Sequence, residues 1–372
     1  MKYQRMPIEI EAPEEKGYAT IQYNLAESSV RDKTIKETGI SLDDLVLFYG
    51  EHWGTTPLRE AIIKGEEKLS FQNVLVCPSA ASALFMVHTS LLDADSHLIV
   101  IRPNYGTNLE TPRAIGCAMT IIDTSFADNF QIDVQEICEA IKPTTKLISI
   151  TTPQNPTGVD IPLSTIQVLV EICEKYNVLL LVDETYRDLN FQSAQNAYMA
   201  SLSPNVLSVC SLSKAFGAPG IRIGWVISQD ISILYKLLAA KEQIIISNSV
   251  VDEAIALHLL QNKEHILETM HTHIRTNYSI FKEWIASNPY LEVVLPNAGV
   301  VAFPRLKKGI EIDTQKFYDT LYTKYATVVG PGHWFEKEKT YMRIGFGYPT
   351  SAELTQGLQN ITKCIDECLV SK

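Results

Sequence analysis

The sequence predicts an α/β protein: a large domain with a mostly parallel sheet sandwiched by helices, then a smaller α+β domain at the C-terminal end. Three observations predict it. From about residue 70, short continuous apolar runs alternate with helical patterns, as strands buried on both faces do. After about residue 250 the text changes to a long amphipathic stretch followed by shorter strand-like runs. The length, 372 residues, also exceeds what one compact core ordinarily holds.

Each element follows in order. The first forty or so residues carry no regular pattern and are expected to pack on the smaller domain, giving boundaries of 1–45, 46–255 and 256–372. Residues 82–92 (SALFMVHTSLL) have helical periodicity. The strands are expected at 97–102 (HLIVIR), 118–123 (AMTIID), 146–151 (KLISIT), 178–183 (VLLLVD) and 206–211 (VLSVCS). The clearest helix between them covers 163–176. One long helix is expected over 252–287, ended by Asn288-Pro289. Strands at LEVVL and VVAFPRL, a helix near 314–325 and a closing helix complete the chain.

The formal net charge is -11 and no basic run stands out, so neither nucleic acid nor an anionic membrane surface is an expected partner. The N-terminal text lacks the apolar core of a signal peptide, and no apolar stretch is long enough to span a bilayer. Seven scattered cysteines without paired spacing suggest reduced thiols and a cytoplasmic location. Cys364 and Cys368 sit four apart with no His or Cys nearby, and no HExxH pattern occurs, so no metal is expected.

In open parallel sheets ligands bind beyond the carboxyl ends of the strands, so the polar residues after each apolar run are where chemistry is sought. The strongest segment is 211–225 (SLSKAFGAPGIRIGW). A lysine just after a strand can act as an amine nucleophile toward a carbonyl, and two hydroxyls and an arginine close by can grip a phosphate. A lone Ser-Lys pair would more often be a solvated loop; the whole fifteen-residue pattern reverses that.

This segment resembles the cofactor-lysine signature of the class I/II aminotransferases, pyridoxal 5′-phosphate (PLP) enzymes of fold type I. The resemblance implies that Lys214 holds PLP as a Schiff base and that Ser211, Ser213 and Arg222 contact its phosphate. Asp183-Glu184-Thr185-Tyr186 after the VLLLV strand resembles the family's D-x-x-Y. Asp183 would then keep the pyridine nitrogen protonated, while the Tyr186 hydroxyl reaches the ring oxygen. In Pro153-Gln154-Asn155-Pro156-Thr157-Gly158 the prolines and glycine fix a turn, and Asn155 matches the residue that bonds both ring oxygen and substrate carboxylate.

The weaker matches follow the same order. Cys77-Pro78-Ser79-Ala80-Ala81 opens a helix whose N–H groups, those of Ala80 and Ala81 by position, would hold the phosphate. The family usually has glycine where Ser79 stands, and Ser79 also suits an N-cap. Tyr105 resembles the aromatic that stacks on the pyridine ring, and Tyr49 a tyrosine that reaches the phosphate of a neighbouring subunit, which implies a homodimer with shared sites. Arg343, set between apolar residues, needs an anionic partner; a structural carboxylate would serve, and in the family it grips the substrate α-carboxylate.

The resemblance runs from about Tyr49 to Phe346 and implies an aminotransferase of amino acid metabolism, acting on an amino acid and a 2-oxo acid with Lys214 as general base. Carbon–sulfur β-lyases and cyclases of the capreomycidine-synthase kind use the same residues and remain the alternative. An effector-sensing regulator is disfavoured, because Lys214, Asp183 and Arg343 are all present and no basic helix precedes Tyr49. Residues 24–29 lie where members often contact substrate, with no role assignable. The second arginine that a dicarboxylate would need is expected from the partner subunit, with Arg31 and Arg113 as candidates that the sequence does not place.

Overall fold

A computed structural model describes residues 1–192 and 197–370. The four short apolar runs around 97–183 form the parallel centre of a seven-stranded sheet. Strand β1 (Tyr23–Asn24) lies outside it; the sheet comprises β2 (Val74–Cys77), β3 (His97–Arg102), β4 (Ala118–Asp123), β5 (Thr145–Thr151), β6 (Leu179–Asp183), β7 (Val206–Ser211) and β8 (Gly224–Ser228), in the order β2-β8-β7-β6-β5-β3-β4. Only β8 runs against its neighbours. That reversal has a consequence for the site: the start of β8, and with it Arg222, falls at the edge where the other strands end.

The two faces of the sheet sort by the two-residue period of a strand. Leu98 and Val100 of β3 pack with Ala83, Leu84, Val87, Leu234 and Leu237 from the helices Ala80–Leu91 and Ile231–Ile244. Ile99 and Ile101 point the other way, toward Ile166, Leu169 and Cys173 of the helix Leu163–Tyr176. A sheet covered on both sides explains why its strands read as unbroken apolar runs.

The second half of the chain differs from expectation in detail. The amphipathic stretch is two helices, Val250–Gln261 and Lys263–Ser287, meeting at Asn262, whose amide folds back onto the His258 carbonyl. LEVVL contributes only Leu291–Glu292 to a strand, and Pro304 splits VVAFPRL into Val301–Ala302 and Arg305–Leu306. Val301–Ala302 pairs with Met342–Gly345, which in turn pairs with Gly330–Pro331. The helix Ser351–Cys368 closes against Lys263–Ser287 through one shared core. Strands β2 and β8 and the helix Ile231–Ile244 had no counterpart in the pattern reading.

The N-terminal stretch touches both halves. β1 pairs in parallel with Thr327–Val328, and Leu25 is fully buried beneath Gly357, where a Cβ would come 2.2 Å from it. A few residues on, Val30 donates its N–H to the Lys214 carbonyl at 3.0 Å. Before β1, Met6 packs on Gly106 and Glu11 accepts from His333 Nε2 and Trp334 Nε1. Among the described residues no helix is long and apolar enough to cross a membrane.

Candidate active site

The strand ends converge on one cavity of about 340 Å³ at the carboxyl edge of the sheet. β7 ends in Ser211 and delivers Ser213 and Lys214, β6 ends in Asp183, and the turn after β5 delivers Asn155. β2 leads into Ala80 and Ala81, and Tyr105 follows β3.

Close approach at this edge depends on Gly224. It pairs with both Cys77 and Ser211, and a Cβ there would lie 2.5 Å from the Ala80 nitrogen and 2.9 Å from the Cys210 oxygen. Glycine therefore lets the start of the helix Ala80–Leu91 sit directly against β8. The first N–H groups of a helix have no intrahelical acceptor. Ser79 Oγ takes the one from Ser82 at 3.2 Å, which leaves those of Ala80 and Ala81 for a ligand. The Ser211 and Ser213 hydroxyls lie 2.7 Å apart, and Arg222, exposed, lines the same cavity.

Asp183 is the buried charge of the site. It is 5% exposed and makes no ion pair among the described residues; Oδ1 accepts from the Thr185 N–H at 3.1 Å and hydroxyl at 2.6 Å. Burial pushes its pKa up, against the hydrogen bonds from Thr185 and Asn108 that hold it down. Lys214 Nζ donates to Ser28 Oγ at 3.2 Å. Tyr186 is buried on the cavity wall, and Tyr105 donates to Glu9 Oε1 at 3.4 Å, with its phenol pushed up to about 12 by burial and by Glu9.

At the opposite wall, Arg343 is 4% exposed and rises from the strand Met342–Gly345. It donates to Asn155 Oδ1 at 2.9 Å and to the Ala26 carbonyl at 2.6 Å, while Nε has no partner among the described residues. Burial lowers its pKa. Neither bond neutralises the charge, and Arg343 forms no ion pair among the described residues. Asn155 is held by the turn at Gly158, where φ is +69° and a Cβ would lie 2.2 Å from the Val301 carbonyl.

The cavity thus gathers Lys214, Asp183, Tyr186, Asn155 and Arg343 with the phosphate candidates Ala80, Ala81, Ser213 and Arg222, and Ser211 stands one hydrogen bond behind. Tyr49 is not among them: it is 80% exposed, next to Val46, Leu47 and Phe48, which are also exposed. Arg31 and Arg113 do not line the cavity; Arg31 pairs with Glu353 at 2.6 Å, and Arg113 with Glu110 and Glu336. Of the stretch 24–29, singled out without a role, Ala26, Glu27 and Ser28 line the cavity, while sequence reading missed Glu9, Tyr18 and Asp32 on the same wall. No spacing or motif marks them.

A lysine at a strand end, a buried carboxyl without a cation, a phosphate-ready helix start and a buried arginine together define a PLP-binding enzyme site on a parallel sheet. The comparisons with known proteins agree. The sequence matches the family Aminotransferase class I and II over residues 22–361. It is 28% identical over 348 residues to an aspartate aminotransferase of Pyrococcus horikoshii, covering 90% of this chain and 87% of that one. It is 26% identical over 324 residues to capreomycidine synthase of Streptomyces vinaceus, covering 87% and 82%. The fold superposes on a PLP-dependent aminotransferase from Streptococcus suis with a TM-score of 0.91 over 100% of both chains, at 24% identity, a likeness that establishes the fold. The chain belongs to the aminotransferase class I and II family, has the fold type I architecture, and is a PLP-dependent enzyme.

Proposed function

We propose that the enzyme is an aminotransferase that moves an amino group between an amino acid and a 2-oxo acid. The observation that carries the reading is the arrangement around one cavity: an amine at Lys214, a buried acid at Asp183, and a buried arginine at Arg343 with no ion pair among the described residues.

The residues suit PLP chemically. Asp183, buried without a cation, fits a protonated ring nitrogen; the N–H groups of Ala80 and Ala81 with Ser211, Ser213 and Arg222 fit its phosphate. Tyr105 is assigned to the ring face, and Tyr186 and Asn155 to the ring oxygen. When bound, PLP supplies an electron sink for the pair left on Cα after proton loss. Lys214 would hold the cofactor covalently and be released when the substrate's amine takes its place. Arg343 and Asn155 then take the α-carboxylate, which fixes Cα in place. The freed Lys214 amine would take the Cα proton and give it to the cofactor carbon within the same half-reaction, and would carry a proton back to Cα when the 2-oxo acid is aminated in the second. Asp183 keeps the opposing positive charge in place throughout.

The exposed run Val46, Leu47, Phe48 and Tyr49 supports a homodimer in which Tyr49 serves the partner's phosphate site. A cytoplasmic location goes with this reading. The domain boundaries 1–45, 46–255 and 256–372 are proposed with it.

A second reading, β-elimination or cyclisation with the same residues, is supported by the similarity to capreomycidine synthase. One experiment separates the two. The PLP-loaded enzyme is given an amino-acid panel with and without a 2-oxo acid acceptor, and both 2-oxo acid and ammonia are scored. Sustained turnover that needs the acceptor is expected; ammonia release without one would overturn transamination in favour of the second reading. Lys214→Ala is the control and is expected to lose the absorbance of lysine-bound cofactor.

A further inference from the structure

The charges around the cavity do not balance. Among the described residues its walls carry three cations, Lys214, Arg222 and Arg343, and each has a task in the reading above. One of the five carboxylates, Asp183, answers the cofactor ring. Four remain: Glu9, Glu14, Glu27 and Asp32. None of these four is in an ion pair among the described residues.

Their setting makes the imbalance functional. Glu9 accepts from the Tyr105 hydroxyl at 3.4 Å, and Glu27 Oε1 accepts from Tyr18 at 3.4 Å and from the Asn24 amide at 3.5 Å. Glu27 follows Ala26, whose carbonyl holds Arg343, so this carboxylate stands beside the substrate anchor. Glu27 and Asp32 are close enough that each opposes the other's charge: burial and then Glu27 raise the pKa of Asp32, outweighing Lys214 and Arg31, and burial, Glu27, Glu14 and Asp32 all raise that of Tyr18. Of the two cations beside Asp32 in sequence, Lys33 does not line the cavity, and Arg31 is committed to Glu353 at 2.6 Å and lies over the Tyr348 ring at 5.3 Å. Independently, the buried Arg343 guanidinium, which lines the same cavity and forms no ion pair among the described residues, fixes where the anionic end of a ligand docks.

We propose that the substrate is an α-amino acid with a cationic side chain, guanidinium or ammonium, whose charge docks on the Glu27–Asp32 wall while its α-carboxylate sits on Arg343. Glu27 is the half-buried partner, with Asp32 and Glu14 at the exposed rim and Glu9 on the Tyr105 side. A dicarboxylic substrate meets the opposite situation: its second carboxylate would face this wall, and within one chain neither Arg31 nor Arg113 lines the cavity to receive it. The inference rests on the amino-acid-substrate reading and adds which side chain is taken.

The test is a spectral titration of the PLP-loaded enzyme, supported by calorimetry, with L-arginine, L-lysine, L-ornithine, L-citrulline, L-norleucine and L-aspartate. The best cationic amino acid is expected to half-saturate at a concentration at least tenfold below its neutral counterpart, citrulline for arginine or norleucine for lysine. Arginine against lysine and ornithine tells guanidinium from ammonium. In the variant carrying both Glu27→Gln and Asp32→Asn the cationic-to-neutral ratio is expected to fall at least tenfold, with the retained cofactor absorbance reporting an intact fold. A preference for aspartate or a neutral amino acid in the wild type, or an unchanged ratio in the folded variant, overturns the inference. Failure of the transamination reading looks different: cationic amino acids bind tightly, yet ammonia appears without an acceptor.

Discussion

The two walls of the cavity are built in different ways. The sheet-edge wall hangs from paired strands: Asp183 is fixed by β6 pairing on both sides, and Lys214 follows β7, paired with β6 and β8. The facing wall comes from residues 8–32, where the regular structure is two four-residue helices, Pro7–Ile10 and Pro13–Lys16, one 3₁₀ turn and the two-residue strand β1. The first wall holds the groups assigned to the cofactor, the second the unpaired carboxylates. Rigid elements position chemistry to within fractions of an ångström, while an irregular segment can be rewritten without disturbing the sheet, so reaction and side-chain choice are carried by separate parts of the chain.

The comparison breaks most sharply at Lys214. Lys214→Ala is expected to lower turnover by about 10³-fold or more, the scale of removing a positioned acid–base group, and by the same factor for every amino acid tried. Steady-state rates across the panel check it: a variant that lost one substrate and kept another would place Lys214 in side-chain selection instead. Next is Arg343→Lys. A lysine keeps the charge and loses the two-pronged grip, so kcat/KM should fall about 10- to 100-fold, mostly through KM. A loss confined to kcat would mean that Arg343 does not bind the carboxylate.

How much was legible follows the same division. That Ser213, Lys214, Asp183, Asn155 and Arg343 share one cavity was readable from the resemblance to the family's motifs, and for the first four also from their place at or just after strand ends. The parallel sheet was readable because strands buried on both faces are apolar throughout. Strand β8 was not: it runs through Gly224, which pairs on both sides and whose role is set by the Ala80 helix lying against it, a tertiary fact. The break at Asn262 was equally hidden, since the amphipathic pattern runs on across it. Glu27 and Asp32 become a wall only because Leu25 is buried under Gly357 and Val30 is tied to the Lys214 carbonyl.

Asp183 sharpens the contrast by setting stability against function. Its pKa is raised in the folded protein, so its favourable contribution is complete below the unfolded carboxylate value, about 3.9, and is lost as pH rises through the raised value. Without cofactor at neutral pH, the buried charge therefore costs stability. Asp183→Asn is expected to stabilise the cofactor-free protein by about 1 kcal/mol and to weaken PLP binding. Thermal unfolding between pH 7 and 4 should show the advantage shrinking as pH falls. A variant less stable at pH 7 would show that the bonds from Thr185 outweigh burial.

The smallest effect belongs to Ser79, where local geometry and family expectation meet. Its backbone has φ +97° and ψ 161°, a region essentially reserved for glycine and costing other residues about 1–3 kcal/mol. That is the physical reason a glycine is expected at this turn. Against the gain, Ser79→Gly gives up the cap to the Ser82 N–H, worth a few tenths of a kcal/mol, and adds about 0.5–1 kcal/mol of unfolded-chain entropy. The net expectation is a stabilisation of about 0.5–1 kcal/mol, read as a rise in Tm of the cofactor-free protein. Cofactor affinity should hardly change. The Ser82 hydroxyl donates to the Pro78 carbonyl at 2.7 Å, so in the 3.2 Å contact between the two hydroxyls Ser79 is the donor, and its one proton is already used. A PLP dissociation constant more than about threefold weaker in Ser79→Gly, a change of about 0.7 kcal/mol, would mean that this hydroxyl turns to the phosphate when the cofactor binds. The N-cap and the phosphate contact would then be alternative states of one side chain.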